Sequence, residues 1–84
     1  MSFFFNFRGD IYFERNDPQM AIVNYSQAIK YRPNEYHAYF KRAKAYEARG
    51  ELRMAMDDYL TTTRLNPKIS EAWFKHGMNY FNNK

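Results

Sequence analysis

Residues 33–67 read PNEYHAYFKRAKAYEARGELRMAMDDYLTTTRLNP, a stretch that opens on Pro33 and closes on Pro67, 34 residues later. Sliding the chain against itself by that interval pairs residues 1–50 with 35–84, and eleven of the fifty pairs are identical where about three are expected by chance. Arg8/Arg42, Tyr12/Tyr46, Ala21/Ala55, Tyr25/Tyr59 and Phe40/Phe74 are among them. A period of this length signals stacked helical hairpins, each too small to bury its own apolar face.

Start and stop residues divide each copy in two. Asp17-Pro18 offers a capping side chain followed by a proline at the first helical position, where the missing N–H costs nothing. Gly50 suits a left-handed helix end, and Asn16 holds the corresponding place one period earlier. Pro33 and Pro67 cannot continue a helix, and Asn34 and Ser70 are the expected caps of the next helices. The pattern predicts helices near 3–15, 18–32, 35–49, 52–65 and 70–82. Small residues (Gly9, Ala43, Gly77; Ala21, Ala28, Ala55) fall where helices must approach closely. Phe5, Tyr39 and Trp73, with Tyr12, Tyr46 and Tyr80, recur beside them at helical spacing.

The series Phe5-Gly9-Tyr12-Ala21-Tyr25-Ala28-Pro33, repeated as Tyr39-Ala43-Tyr46-Ala55-Tyr59-Thr62-Pro67 and begun again at Trp73-Gly77-Tyr80, resembles the tetratricopeptide repeat. The resemblance implies an all-α fold of about five helices, a right-handed superhelical stack of antiparallel hairpins. It covers one domain over residues 1–84, with repeats near 2–35 and 36–69 and a partial repeat or capping helix near 70–84. Arg8, Arg42 and His76 depart from the pattern, standing where the motif carries leucine, as does Thr62, which replaces a small apolar residue. The implied function is a scaffold or adaptor that binds a peptide or protein surface in its concave groove, without catalysis or cofactor.

In such arrays the first helix of each repeat lines the concave face. Carried over residue by residue, this gives Phe3, Asn6, Phe7, Asp10 and Phe13, then His37, Phe40, Lys41 and Lys44, then Glu71, Phe74, Lys75 and Met78. Stacking would set Lys41 and Lys75 as a two-rung ladder beside Phe40 and Phe74, a groove for an acidic, partly apolar peptide. The family's clamp for a terminal carboxylate needs basic and asparagine residues where this chain has Asn6, Asp10, Lys41 and Glu71. Only Lys75 keeps the basic character, so that ligand is not expected.

Composition agrees. Of 84 residues 45% are hydrophobic and 20% aromatic, with three glycines and three prolines, so long regular elements are expected. Cysteine is absent, which removes disulfides and thiol chemistry but does not fix the compartment. An intracellular setting is expected over a secreted one. No apolar run approaches the roughly 18 residues that cross a bilayer, and the opening residues read as folded structure. The net charge of +4 leaves nucleic-acid binding as the rival, though Glu14, Asp17, Glu47, Glu51, Asp57 and Asp58 interrupt any basic stripe. His37 and His76 are five residues off register for a shared metal. Asp57-Asp58 reads as solvated outer face, and Asn24-Tyr25-Ser26 as a chance glycosylation triplet on a helix. No phosphate-binding glycine loop or nucleophile elbow occurs. Phe3 and Phe4 at one end, and Trp73, Tyr80 and Phe81 at the other, leave apolar faces without a polar cap. They are candidates for self-association into a homo-oligomer, or for junctions within a longer array.

Overall fold

A computed structural model describes residues 2–69. It shows α1 (Ser2–Glu14), α2 (Pro18–Tyr31), α3 (Tyr36–Ala48) and α4 (Leu52–Leu65), followed by a short 3₁₀ turn, Pro67–Ile69. Among the described residues there is no strand. α1 packs on α2 and α3 on α4 as two hairpins, and α2 joins α3. The helix expected over 70–82 lies outside the described residues, and with it Glu71, Trp73, Phe74, Lys75, Met78, Tyr80 and Phe81.

The boundaries follow from the turn chemistry. Asp17 Oδ1 accepts the Met20 N–H at 3.2 Å, with Pro18 opening α2. α1 ends in a left-handed Asn16 (φ 65°) and α3 in a left-handed Gly50 (φ 81°). Behind Asn16, the Asp17 N–H donates to Tyr12 O at 2.9 Å and the Asn16 N–H to Phe13 O at 3.0 Å. One period on, the Glu51 N–H reaches Tyr46 O at 2.9 Å and the Gly50 N–H reaches Glu47 O at 3.0 Å. Both are the two-bond closure that satisfies orphaned helix carbonyls. Asn34 differs from expectation: Glu35 is the residue that flanks α3, and its side chain makes no capping bond. The turn after Pro33 closes instead through the Glu35 N–H to Arg32 O at 3.1 Å, which sets Asn34 one residue too early to cap.

The core consists of two linked clusters. Ala21, Ile22, Tyr25 and Ala45 pack with Tyr12 and Tyr46, while Ala43, Ala55 and Tyr59 pack with Phe40 and Tyr46. Tyr46 belongs to both and Ala45 carries α3 into the first hairpin, so the repeats share one interior. Gly9 is required by contact rather than by conformation. A methyl group there would meet Tyr25 Cδ1 at 2.6 Å, because the ring lies directly on the α1 backbone. Thr62 is fully buried and satisfies its hydroxyl by donating to Asp58 O at 2.8 Å, which makes it a tolerable substitute for a small apolar residue.

Asp58 corrects the reading of Asp57-Asp58 as a solvated pair. Asp57 is exposed, but Asp58 is 5% exposed. It accepts from Arg42 Nε at 2.7 Å and from Nη2 at 2.9 Å. Arg42 Nη1 also donates to Ser26 Oγ at 3.1 Å, so one guanidinium ties α2, α3 and α4 together. It lies 5.7 Å from the ring centroids of both Tyr39 and Tyr46. The hydrogen bonds to Asp58 hold its pKa above the ordinary arginine value, against the opposing effect of burial. Arginine in the motif's leucine position is therefore built into the packing.

Candidate functional site

The helical repeat turns one side of α1 toward the start of α3, and between them lies an open groove of about 660 Å³. Phe3, Phe4, Asn6, Phe7 and Asp10 line it from α1, with Glu35, His37 and Lys41 opposite. Residues 3, 7 and 10 are about one turn apart and so share a helix face. Phe3 is 88% exposed and Phe7 66%, rings carried on the helix with little covering them.

The polar side of the groove is assembled across three helices. Tyr25, reaching from α2, donates its hydroxyl to Asp10 Oδ1 at 2.6 Å, and Lys41 Nζ donates to Asp10 Oδ2 at 2.9 Å. Both carboxylate oxygens are thus engaged. Burial, reinforced by the hydrogen bond to Asp10 and its charge, pushes the Tyr25 hydroxyl pKa well above its usual value. Glu35 Oε1 lies 3.4 Å from His37 Nδ1 at the mouth. Asn6 is only 7% exposed although it lines the groove, and its Oδ1 is buried with no hydrogen-bond donor among the described residues.

Of the residues expected on the concave face, Asn6, Asp10, His37 and Lys41 come together in this groove, with Phe3 and Phe7. Phe40 and Lys44 do not line it. Phe40 is half-buried, edge-on to Tyr59 at 5.8 Å between centroids, and Lys44 Nζ sits 5.0 Å from the Phe40 ring. Phe40 therefore serves the second hairpin's core as much as any surface. Phe13 is exposed outside the groove. Glu35 and Tyr25 were not legible as site residues. Tyr25 belongs to the packing motif, and only the acid at position 10, one turn from Asn6, hints that its hydroxyl has a groove partner.

Among the described residues no three His, Cys, Asp or Glu side chains converge on a point that would hold a metal ion. No described helix is long and apolar enough to cross a membrane.

Comparison with known proteins gives two overlapping family matches. Residues 9–50 match the family model described as TPR repeat, and residues 36–69 match that described as tetratricopeptide repeat. The chain is 30% identical over 70 residues to Hsp70-Hsp90 organizing protein 3 of Arabidopsis thaliana, covering 83% of this chain and 12% of that protein. It is 37% identical over 55 residues to a tetratricopeptide repeat and J domain-containing co-chaperone of Cryptococcus neoformans, covering 66% of this chain and 10% of that protein. It is 33% identical over 73 residues to a heat-shock protein cognate co-chaperone of Aspergillus fumigatus, covering 87% and 21%. The chain thus spans between a tenth and about a fifth of the length of these relatives.

Proposed function

We propose that this chain, which belongs to the tetratricopeptide repeat family, is a non-catalytic protein-binding module whose concave groove receives an apolar-anchored peptide. Relatives named as co-chaperones and as an organizing protein support the adaptor role. The observation that carries the groove assignment is the exposure of Phe3 and Phe7 on a helix that also lines a concave, partly polar cleft. Apolar burial is worth about 25 cal/mol per Å², so these rings would supply most of the affinity. A preformed groove also lowers the ordering cost of recognition.

The acidic character expected of the ligand rests on groups other than Lys41. Lys41 is held by Asp10, so attraction of acidic flanks falls to Lys44 and to the net charge of +4 acting at long range. A terminal carboxylate has no clamp here, and the Asp10 charge disfavours one.

Selection of a random dodecapeptide phage library against the whole chain tests this reading, with the isolated peptides mapped by NMR. Peptides should shift Phe3, Phe7, Asp10 and Lys41, and Phe7→Glu should weaken them at least tenfold while Val23→Glu, on exposed α2 surface, leaves them unchanged. Peptides indifferent to Phe7→Glu would overturn the groove assignment.

Self-association is a second reading, favoured by the exposure of Phe3, Phe4, Phe7 and Ile11 along α1. Sedimentation equilibrium on Phe4→Glu tests it. A wild type that is already monomeric removes it.

A further inference from the structure

We propose that a stripe of α1 formed by Phe4, Arg8, Ile11 and Arg15 docks an antiparallel amphipathic helix of another protein, one that carries two carboxylates seven residues apart with an apolar residue between them. The four positions follow the spacing i, i+4, i+7, i+11 and so share one helix face. All four are exposed, Phe4 at 51% and Ile11 at 37%. Arg8, Ile11 and Arg15 do not line the groove, so the stripe is a second surface that meets the groove at Phe4.

The chain holds its own template for what covers such a stripe. One period on, the same positions are Ala38, Arg42, Ala45 and Arg49, and α2 packs against them. Arg42 Nη1 donates to Ser26 Oγ and Arg49 Nη1 to Gln19 Oε1, while Ala45 shares a core cluster with Ile22. Pairing 42 with 26 and 49 with 19 is antiparallel, and Gln19, Ile22 and Ser26 stand at i, i+3 and i+7. The α3 arginines also receive carboxylates from their own hairpin, Asp58 for Arg42 and Glu51 for Arg49. The α1 arginines do not. Asn24 stands in place of Asp58, and Asp17, in place of Glu51, spends its Oδ1 on the Met20 N–H as a helix cap. Among the described residues neither Arg8 nor Arg15 forms an ion pair.

A helix seated here therefore has to bring the acids that the hairpin lacks, at the two places where α2 has Gln19 and Ser26. Forked guanidinium–carboxylate bonds flanking a buried apolar contact would fix its register, and Phe4 and Ile11 would supply the burial. A second copy of this chain does not fit that register. Its α4 would present Arg53, Met56 and Leu60, setting one cation against Arg15. Acids seven residues apart occur twice in the chain, as Asp10 with Asp17 and Glu51 with Asp58, and all four side chains are already engaged within their own fold.

The test selects a phage library of helical peptides of about 18 residues, randomised on one face, against the whole chain and counter-selects it against Arg8→Glu, Arg15→Glu. Both arginines are exposed, and circular dichroism checks that the double variant keeps the wild-type helix content. Surviving peptides should carry two acids seven residues apart around an apolar residue, bind the wild type at least tenfold more tightly than the double variant, and be indifferent to Phe7→Glu. Replacing their two acids by lysine should move binding from the wild type to the double variant. Survivors without paired acids, or a charge exchange that fails to move binding, would overturn the proposal. So would a wild-type dimer in sedimentation equilibrium that Arg8→Glu dissociates, which would assign the stripe to a second copy, or an oligonucleotide bound there in place of the peptides. Groove peptides respond to Phe7→Glu and stripe peptides to Arg8→Glu, so the two readings fail separately.

Discussion

Arg8 and Arg42 occupy the same place in successive hairpins, and the difference between their surroundings shows how one frame is put to two uses. Arg42 is enclosed, forked onto Asp58 and bonded to Ser26. Arg8 is exposed, 5.5 Å from the Phe4 ring. The residue across from Arg8, equivalent to Asp58, is Asn24, whose amide donates to Met20 O at 2.9 Å on its own helix. The two packing tyrosines diverge similarly. Tyr25 donates to Asp10, a groove residue, whereas Tyr59 donates to Glu47 at 2.9 Å. The equivalent of Asp10 in the second hairpin is Lys44, which has no lone pair to offer a hydroxyl. The first hairpin's polar network opens onto the groove, and the second's closes within its own hairpin, with Ser26 as its tie to the first.

Breaking the second network should have the largest effect. Arg42→Leu restores the motif's residue but leaves Asp58 buried and unpaired, and should lower stability in urea denaturation by about 3–5 kcal/mol. Arg8→Leu should change it by less than about 0.5 kcal/mol. Replacing both partners by apolar side chains, as Arg42→Leu with Asp58→Leu, should recover most of the loss. Equal effects at positions 8 and 42 would show that the enclosed fork does not distinguish the hairpins.

The next contrast is steric. Gly9→Ala sets a methyl group against the Tyr25 ring, and overpacking of about 1–3 kcal/mol outweighs a gain in helix propensity of about 1 kcal/mol. Ala43→Gly, at the equivalent site, creates no clash but loses both helix propensity and a buried methyl group, and should cost about 2 kcal/mol. Thermal unfolding would show both variants with a Tm below that of the wild type, so that glycine and alanine are each the favoured residue at their own site.

Alkaline titration of the wild type against Tyr25→Phe isolates the share of the Tyr25–Asp10 network. Burial and the Asp10 hydrogen bond make the folded protein hold the Tyr25 proton more tightly than the unfolded chain does. The stability this supplies is complete below the ordinary tyrosine pKa of about 10, and is lost above it at up to about 1.4 kcal/mol per pH unit. Tyr25→Phe should lack that share of the decline above pH about 10, measured as the urea midpoint against pH.

Most of the frame was legible because it is local. Pro18, Asn16, Gly50 and Pro33 act through backbone torsions and missing donors, so the helix limits fall within a residue or two of expectation. Aromatic and small residues at a 34-residue interval likewise fixed which helices meet. Long-range polar pairing stayed concealed. Asp58 beside Asp57 looks solvated until α3 brings Arg42 across, 16 residues away in the chain. Lys41 reads as a free rung until Asp10, 31 residues earlier, takes it. Phe40 reads as groove lining until its edge is found on Tyr59. Periodicity reports which face a residue occupies, but not which partner on a neighbouring helix will claim it.

Lys41 and Arg42 are adjacent on α3 and both are ion-paired, yet their pairs should differ most in what they stabilise. The Lys41–Asp10 contact is short, 2.9 Å, but about a third of each side chain is exposed, at 33% and 39%. Water and salt screen such a pair, and holding a long lysine side chain in one geometry costs entropy, so Lys41→Met should shift stability by only about 0–1 kcal/mol. Its effect belongs to recognition. With the ammonium gone, the Asp10 carboxylate keeps only the Tyr25 hydroxyl and turns a matched pair into a net negative charge on the groove wall. Peptides with acidic flanks should then associate more slowly, by a factor that shrinks as salt is added, while neutral apolar peptides keep their affinity. Stopped-flow association of both peptide types at low and high salt checks this. A loss shared equally by the neutral peptides would mean that Lys41 shapes the groove instead of balancing its charge.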